Sequence, residues 1–257
     1  MSPAESHVLS TDGFVVQSPG LLRHDWLLHG ASTRRLVETR DTQEAGMNRL
    51  MARLGGAGMP MVCAQQKHTN RVQVVTAAAA EAARAGRPHV FPETDALVCA
   101  QPSVGVFIFT ADCVPIFLCD TRLHIVALVH AGWRGTLARI AEHTLQTMQN
   151  IGCQPADIEV WFGPCISREA YEVSPELIER FRAEFADAER SGVDFFSDRL
   201  LDLTALNVYQ LEKCGVAQSR ISISNLCTFG NRDLFHSYRG GNGAAGRIVS
   251  VMAVRED

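Results

Sequence analysis

Three short segments carry residue types that can do chemistry together: Gln66-Lys67-His68, Thr110-Ala111-Asp112-Cys113-Val114-Pro115 and His130-Ala131-Gly132-Trp133-Arg134-Gly135. Each sets a soft-metal ligand where a strand is expected to end or turn. The imidazoles of His68 and His130 and the thiolate of Cys113 suit zinc, and three protein ligands leave a fourth position open to water or substrate, as a catalytic metal site requires. The separations, 45 positions from His68 to Cys113 and 17 from Cys113 to His130, are not a metal motif by themselves. Without a metal, Cys113 as thiolate nucleophile and His130 as its base, with an acidic or amide partner, would make an amidase or hydrolase. Asp112 has two readings: a carboxylate that orients a ligand or moves a proton, or the cap of the turn that presents Cys113.

These residues need a scaffold, and the hydrophobic pattern supplies one. Val104 to Leu118 is rich in Val, Ile and Phe, and its polar break at Thr110 to Cys113 predicts two buried strands or one kinked strand. Leu123 to Val129 predicts another strand, after which Gly132 to Gly135 turns the chain into a helix from about Thr136 to Asn150. Ile158 to Phe162 predicts a strand that ends at the breaker Gly163-Pro164. Ser174 caps a helix running toward Arg190, and Asp202 caps a second that stops at Cys214-Gly215. Ile221 to Ser224 and Ile248 to Val254 complete the strands, and the Ala77 to Ala85 run reads as a short helix or loop insertion. Strands and helices alternating along the chain predict a single α/β sandwich domain over residues 1–257 with a mixed central sheet, residues 1–20 forming a flexible or edge-strand start.

Composition narrows the function. A chain of 257 residues with 46% hydrophobic and 20% charged residues can bury an enzyme-sized core. A net charge of -4 provides no basic field for a polyanion, so nucleic acid is not an expected partner. No apolar stretch approaches the roughly 18 to 20 residues of a membrane helix and no export signal opens the chain, so a cytoplasmic protein, a monomer or small homo-oligomer, is expected. None of the eight cysteines forms a C-x-x-C pair. All but Cys113 are expected to be small buried apolar residues, Cys165 on a backbone turn among them.

Five separated motifs in order carry a resemblance: Gln66-x-His68, Ala111-Asp112-Cys113-x-Pro115, His130-Ala131-Gly132-Trp133-Arg134-Gly135, Gly163-Pro164-Cys165-Ile166 with Tyr171-Glu172-Val173, and Ser237-Tyr238-Arg239. Over Leu28 to Val254 the chain resembles the YfiH-like family, long labelled multicopper polyphenol oxidase (laccase) and more recently read as zinc-dependent purine nucleoside phosphorylases. The resemblance implies a metal site of His68, Cys113 and His130, an α/β fold shared with certain cysteine hydrolases, and phosphorolysis of adenosine, inosine, guanosine and methylthioadenosine with adenosine deamination as a second activity. After Ser32-Thr33-Arg34 the family's glycine-rich loop is replaced by Arg35-Leu36-Val37-Glu38-Thr39-Arg40; where that loop covers the nucleoside, its loss implies a more open pocket, a shifted specificity or weaker activity.

The implied chemistry sets further requirements. Breaking a purine N-glycosidic bond builds positive charge on the ribose and negative charge on the base, and the phosphate nucleophile needs cations. Arg49, Arg34, Arg134 and Arg239 are the expected binders of substrate phosphate. Trp133 either stacks on a base or packs, Arg134 could instead tie its turn to a carboxylate, and His236 lines the pocket or merely replaces an aromatic ring. His124 and His143 read as strand-edge and helix-surface residues. A copper oxidase has less support, because its sites need many histidines, commonly in His-x-His pairs, and none occurs here. The same residues also permit a Cys-His hydrolase acting on cell-wall precursors, or a nucleotide-binding or partner-binding module.

Overall fold

The computed structural model describes residues 6–39, 41–241, 243 and 246–256. Its strands are β1 (Val8–Leu9), β2 (Val15–Gln17), β3 (Leu27–Ser32), β4 (Met61–Ala64), β5 (Val72–Val75), β6 (His89–Phe91), β7 (Ala96–Cys99), β8 (Gly105–Thr110), β9 (Val114–Asp120), β10 (Ile125–Ala131), β11 (Ile158–Phe162), β12 (Phe196–Ser197), β13 (Leu200–Leu201), β14 (Ile221–Ile223) and β15 (Ile248–Val254). Its helices are α1 (Gln43–Arg53), α2 (Ala77–Arg84), α3 (Trp133–Leu137), α4 (Ile140–Asn150), α5 (Pro175–Glu184), α6 (Ala186–Arg190) and α7 (Leu203–Lys213).

The expected α/β sandwich with mixed strand pairing is found, and its sheet layer is double. One sheet has the order β1-β2-β3-β15-β8-β4-β6 and the other β14-β11-β9-β10-β7-β5. Each mixes parallel pairs, such as β4 with β8 and β5 with β7, with antiparallel ones. The sequence pattern explains the doubling, because successive side chains of a strand face opposite ways. In β8, Val106 and Ile108 enter the core between the sheets while Phe107 and Phe109 face α1. In β9, Phe117 and Cys119 enter the same inter-sheet core, whereas Val114, Ile116 and Leu118 face the layer of α4, α5 and α7. Both faces are apolar, so the run from Val104 to Leu118 is continuous in sequence although it belongs to two different sheets.

Helix boundaries follow local chemistry. Thr42, Thr76, Ser174 and Asp202 each accept a backbone N–H from the first turn of α1, α2, α5 and α7. The helix expected over Thr136 to Asn150 is two helices, because Arg139 adopts a left-handed φ of 59° between α3 and α4. The helix expected from Ser174 toward Arg190 divides at Phe185 into α5 and α6. Within the first twenty residues, 8–17 form the β1–β2 hairpin at the edge of the larger sheet. Leu36 and Val37 of the replaced loop are buried against α1, and Arg40 lies outside the described residues. No helix among the described residues is long and apolar enough to cross a membrane.

Candidate metal centre

The doubled sheet explains how distant segments meet. The chain crosses from the larger to the smaller sheet three times at one end of the sandwich: from β4 to β5, from β6 to β7 and from β8 to β9. The first crossing carries His68, the second Asp95 and the third Asp112 and Cys113. His130 sits near the end of β10, opposite Pro115 in β9, and so arrives at the same rim. The donor atoms of His68, Cys113 and His130 all lie within 4.8 Å of one another, and the His68 and His130 rings meet edge to face at 4.9 Å. A β-carbon at Gly132 would stand 3.0 Å from both Cys113 Sγ and His68 Cδ2, so a bare backbone is what lets the ligands converge.

Asp95, which no sequence motif singles out, organises two of the three. It is fully buried, and one carboxylate oxygen accepts His130 Nδ1–H at 2.8 Å and the His68 backbone N–H at 3.0 Å. The other accepts the backbone N–H groups of Lys67 and Thr69 and the Thr69 hydroxyl, at 3.2, 2.8 and 2.7 Å. Burial alone would raise its pKa, but the His130 and Thr69 hydrogen bonds hold the carboxyl down at about 2. An ionised Asp95 fixes the proton of a neutral His130 on Nδ1 and leaves Nε2 to face the cluster. Burial opposes a charge on Cys113, yet His130 and His68 at the sulfur draw its pKa below that of a free thiol, and Cys113 and Asp95 raise that of His130. The thiols of Cys119, Cys153 and Cys165 are instead pushed up to about 12 by burial.

Asp112 has a left-handed φ of 88° and ties the crossing to two loops. Its carboxylate accepts the Thr228 hydroxyl at 2.6 Å and the Arg239 backbone N–H at 2.7 Å, while its carbonyl accepts from Ile166. Gln66 closes its amide on the Phe109 backbone, donating to the carbonyl at 2.6 Å and accepting from the N–H at 2.9 Å.

Above the cluster opens a cavity of about 700 Å³, whose walls include Trp133, Arg134, Tyr171, Tyr238, Arg239 and Arg247. Arg134 stacks its guanidinium 4.2 Å over Trp133 and, among the described residues, ties no carboxylate. Arg239 lies 5.4 Å over Tyr171 and donates to the Glu172 carbonyl. Burial pushes the Tyr171 hydroxyl up to about 12. The other two expected phosphate binders do not reach this cavity. Arg49 projects from α1 and is committed to Asp41 at 2.5 Å and the Leu36 carbonyl at 3.0 Å, while Arg34 donates to the Arg232 carbonyl. Arg247 joins the wall without a sequence signal, since it follows a glycine-rich segment that has no periodicity.

The other expectations divide. His236 is buried with its ring on the Val37 carbonyl at 2.7 Å and does not line the cavity. His143 is on the surface of α4, whereas His124 occupies a turn and stacks on Trp26 at 4.1 Å. Cys165 is buried on its turn, but Cys214 and Cys227 are only half-buried, and the Cys227 sulfur accepts N–H groups of Ser167 and Gly230 at 3.4 Å.

Fold and cluster together define an α/β sandwich domain with a three-donor centre at its sheet-crossing rim. A family model described as "Multi-copper polyphenol oxidoreductase laccase" matches residues 35–255, and the chain belongs to that family. It is 34% identical to the purine nucleoside phosphorylase YlmD of Bacillus subtilis over 199 residues, covering 76% of this chain and 71% of the relative. It is 36% identical to a purine nucleoside phosphorylase of Deinococcus radiodurans over 209 residues, covering 80% and 75%. Among solved structures, Bacillus licheniformis YfiH superposes with a TM-score of 0.84 at 24% identity, covering 97% of this chain and 99% of that one. Geobacillus stearothermophilus YlmD superposes with a TM-score of 0.79 at 26% identity, covering 95% and 97%.

Proposed function

We propose that this chain is a zinc-dependent purine nucleoside phosphorylase acting on adenosine, inosine, guanosine and methylthioadenosine, with adenosine deamination as a second activity. The observation that carries the reading is the convergence of His68, Cys113 and His130 beneath a cavity of about 700 Å³, a volume suited to a small-molecule substrate. The relatives named purine nucleoside phosphorylases support the substrate class.

The donor set fits zinc. Two imidazoles and a thiol of lowered pKa match its preferences, and their 4.8 Å spread is within a small contraction of the roughly 3.4 to 3.6 Å between ligands of a tetrahedral ion. When bound, zinc supplies Lewis-acid polarisation at its open position. The chain's own groups do the rest. Asp95 keeps His130 Nε2 aimed inward, Asp112 clasps the loops that bear Thr228 and Arg239, and Arg134 and Arg239 bring cations to the wall where a phosphate nucleophile must be held. Copper oxidation has less support, because the described residues contain one three-donor group and multicopper chemistry needs several.

One observation favours a second reading: Asp95, His130 and Cys113 also form the carboxylate-imidazole-thiol sequence of a cysteine hydrolase. The test is chromatography of metal-analysed protein incubated with adenosine or inosine, with and without phosphate, beside Cys113→Ala. The expected result is stoichiometric zinc, with free base and ribose 1-phosphate formed only with phosphate, and loss of both zinc and activity in the variant. Metal-free protein that releases no base, yet hydrolyses an amide and is blocked by iodoacetamide, overturns the first reading in favour of the second.

A further inference from the structure

Beside the main cavity, and sharing Trp133 and Arg134 with it, lies a second hollow of about 350 Å³ completed by Leu137, Ala138 and Arg180. Its charge is unbalanced. The Arg134 guanidinium sits 4.2 Å and that of Arg180 5.5 Å from the Trp133 ring, so two cations are gathered at one indole. Neither has an ion-pair partner among the described residues. The neighbouring acids are engaged elsewhere: Glu179 pairs with Arg182, Glu184 and Glu142 with Arg139, and Asp187 with Lys213, while Glu176, one turn before Arg180 on α5, bonds the Ser174 side chain at the helix cap. A ring face attracts a guanidinium only weakly at an exposed site, which positions the group but leaves its charge and most of its N–H donors unanswered. Two such forks lining one hollow at one indole, neither of them paired with a carboxylate, suit a tetrahedral dianion, which arginine binds through paired N–H donors.

We propose that this annex is a phosphate subsite in which Arg134, from α3, and Arg180, from α5, close on one phosphate dianion while Trp133 holds both guanidinium planes. The dianion is either inorganic phosphate or the 5′-phosphate of a nucleotide whose sugar and base extend over the metal centre. The proposal deepens the phosphorylase reading, but its primary readout is binding without turnover, so the two can fail separately.

The experiment is calorimetric titration of the full chain at low ionic strength with inorganic phosphate, adenosine 5′-monophosphate and adenosine, using wild type, Arg180→Glu and Arg180→Lys. Arg180 is exposed, and the melting temperature of each variant checks that the fold is kept. The expected result is at least a tenfold loss of affinity for a phosphate-bearing ligand in Arg180→Glu, partial retention in Arg180→Lys, and unchanged adenosine binding. A parallel rise in KM for phosphate during inosine phosphorolysis identifies the occupant as the co-substrate. Loss confined to the nucleotide identifies it as a 5′-phosphate. Equal binding of both phosphate ligands by wild type and Arg180→Glu overturns the proposal. Phosphate binding that follows Arg180 in a protein without phosphorolysis leaves the subsite standing and removes the phosphorylase reading.

Discussion

Asp95 gathers five donors on two oxygens, and only one of them is a side chain of the three-donor cluster. Its carboxylate therefore does two jobs: it fixes the His130 ring, and it holds the left-handed turn at His68, whose φ is 59°. Carboxylates behind a ligating histidine are typically worth about 10- to 100-fold in metal affinity. Asp95→Asn keeps the shape but replaces one accepting oxygen with a donor, which opposes His130 Nδ1–H or the backbone N–H groups, whichever it faces. On the proposed zinc reading, the expected outcome is a loss of zinc affinity of about 10- to 100-fold, measured by competition with a chromogenic chelator, with a matching loss of the proposed activity at limiting zinc. Unchanged affinity would show that the His68 turn and His130 ring are held by packing alone. Nothing in the sequence marks Asp95 beyond its place between Thr94 and the apolar Ala96-Leu97-Val98-Cys99. An acid at the edge of a buried strand is the available signal, and Asp112 shares it.

At the level of elements, the legible features are those fixed by local chemistry. Strands β11 and β15 begin and end where the apolar runs do, and the Ser174 and Asp202 caps are where the sequence puts them. What is not legible is which sheet each strand joins, because a strand apolar on both faces carries no address. The Ala111-Asp112-Cys113 crossing resembles a kink for this reason. The short reach of Arg49 is hidden similarly, since its partners Asp41 and Leu36 are near in sequence but are brought round by the turn before α1. Gln66 shows the crossing's mechanical side. By pairing both ways with Phe109 it continues β4 by one side-chain rung alongside β8, just before the chain departs toward β5. Gln66→Ala leaves the Phe109 N–H and C=O without that partner, and such losses cost about 1 to 3 kcal/mol when the groups stay dry. A lower urea midpoint with an unchanged slope is the expected result; a midpoint equal to wild type would mean that water replaces the amide.

The whole molecule also carries a pH-dependent weakness away from the cluster. His29 lies in β3, with its ring edge-on to Trp161 of β11 across the sheet interface at 6.0 Å. It is fully buried; Nε2 accepts the Ser18 backbone N–H at 3.0 Å, so the proton of the neutral ring is on Nδ1, which has no hydrogen-bond partner. Burial pushes its pKa down from 6.5 to about 4, the Ser18 bond and the His24 charge having smaller effects. The folded protein thus holds this ring neutral where the unfolded chain protonates it. Between those two values the unfolded chain binds the extra proton, so the stability contributed by neutral His29 is complete above pH 6.5, falls as pH drops through that value, and is gone near pH 4. The shift corresponds to roughly 3 kcal/mol, a large share of the 5 to 15 kcal/mol that holds a typical domain. Urea midpoints at pH 7.5 and 4.5 for wild type and His29→Leu isolate this group, since their difference cancels every other titrating residue, the zinc-binding candidates included. Leucine lacks the Ser18 acceptor and is expected to be less stable at pH 7.5, with the deficit shrinking or reversing by roughly 2.5 kcal/mol at pH 4.5. A deficit of the same size at both values would mean that His29 is protonated as readily in the folded chain as in the unfolded one, and that the seam between the sheets admits water at its ring.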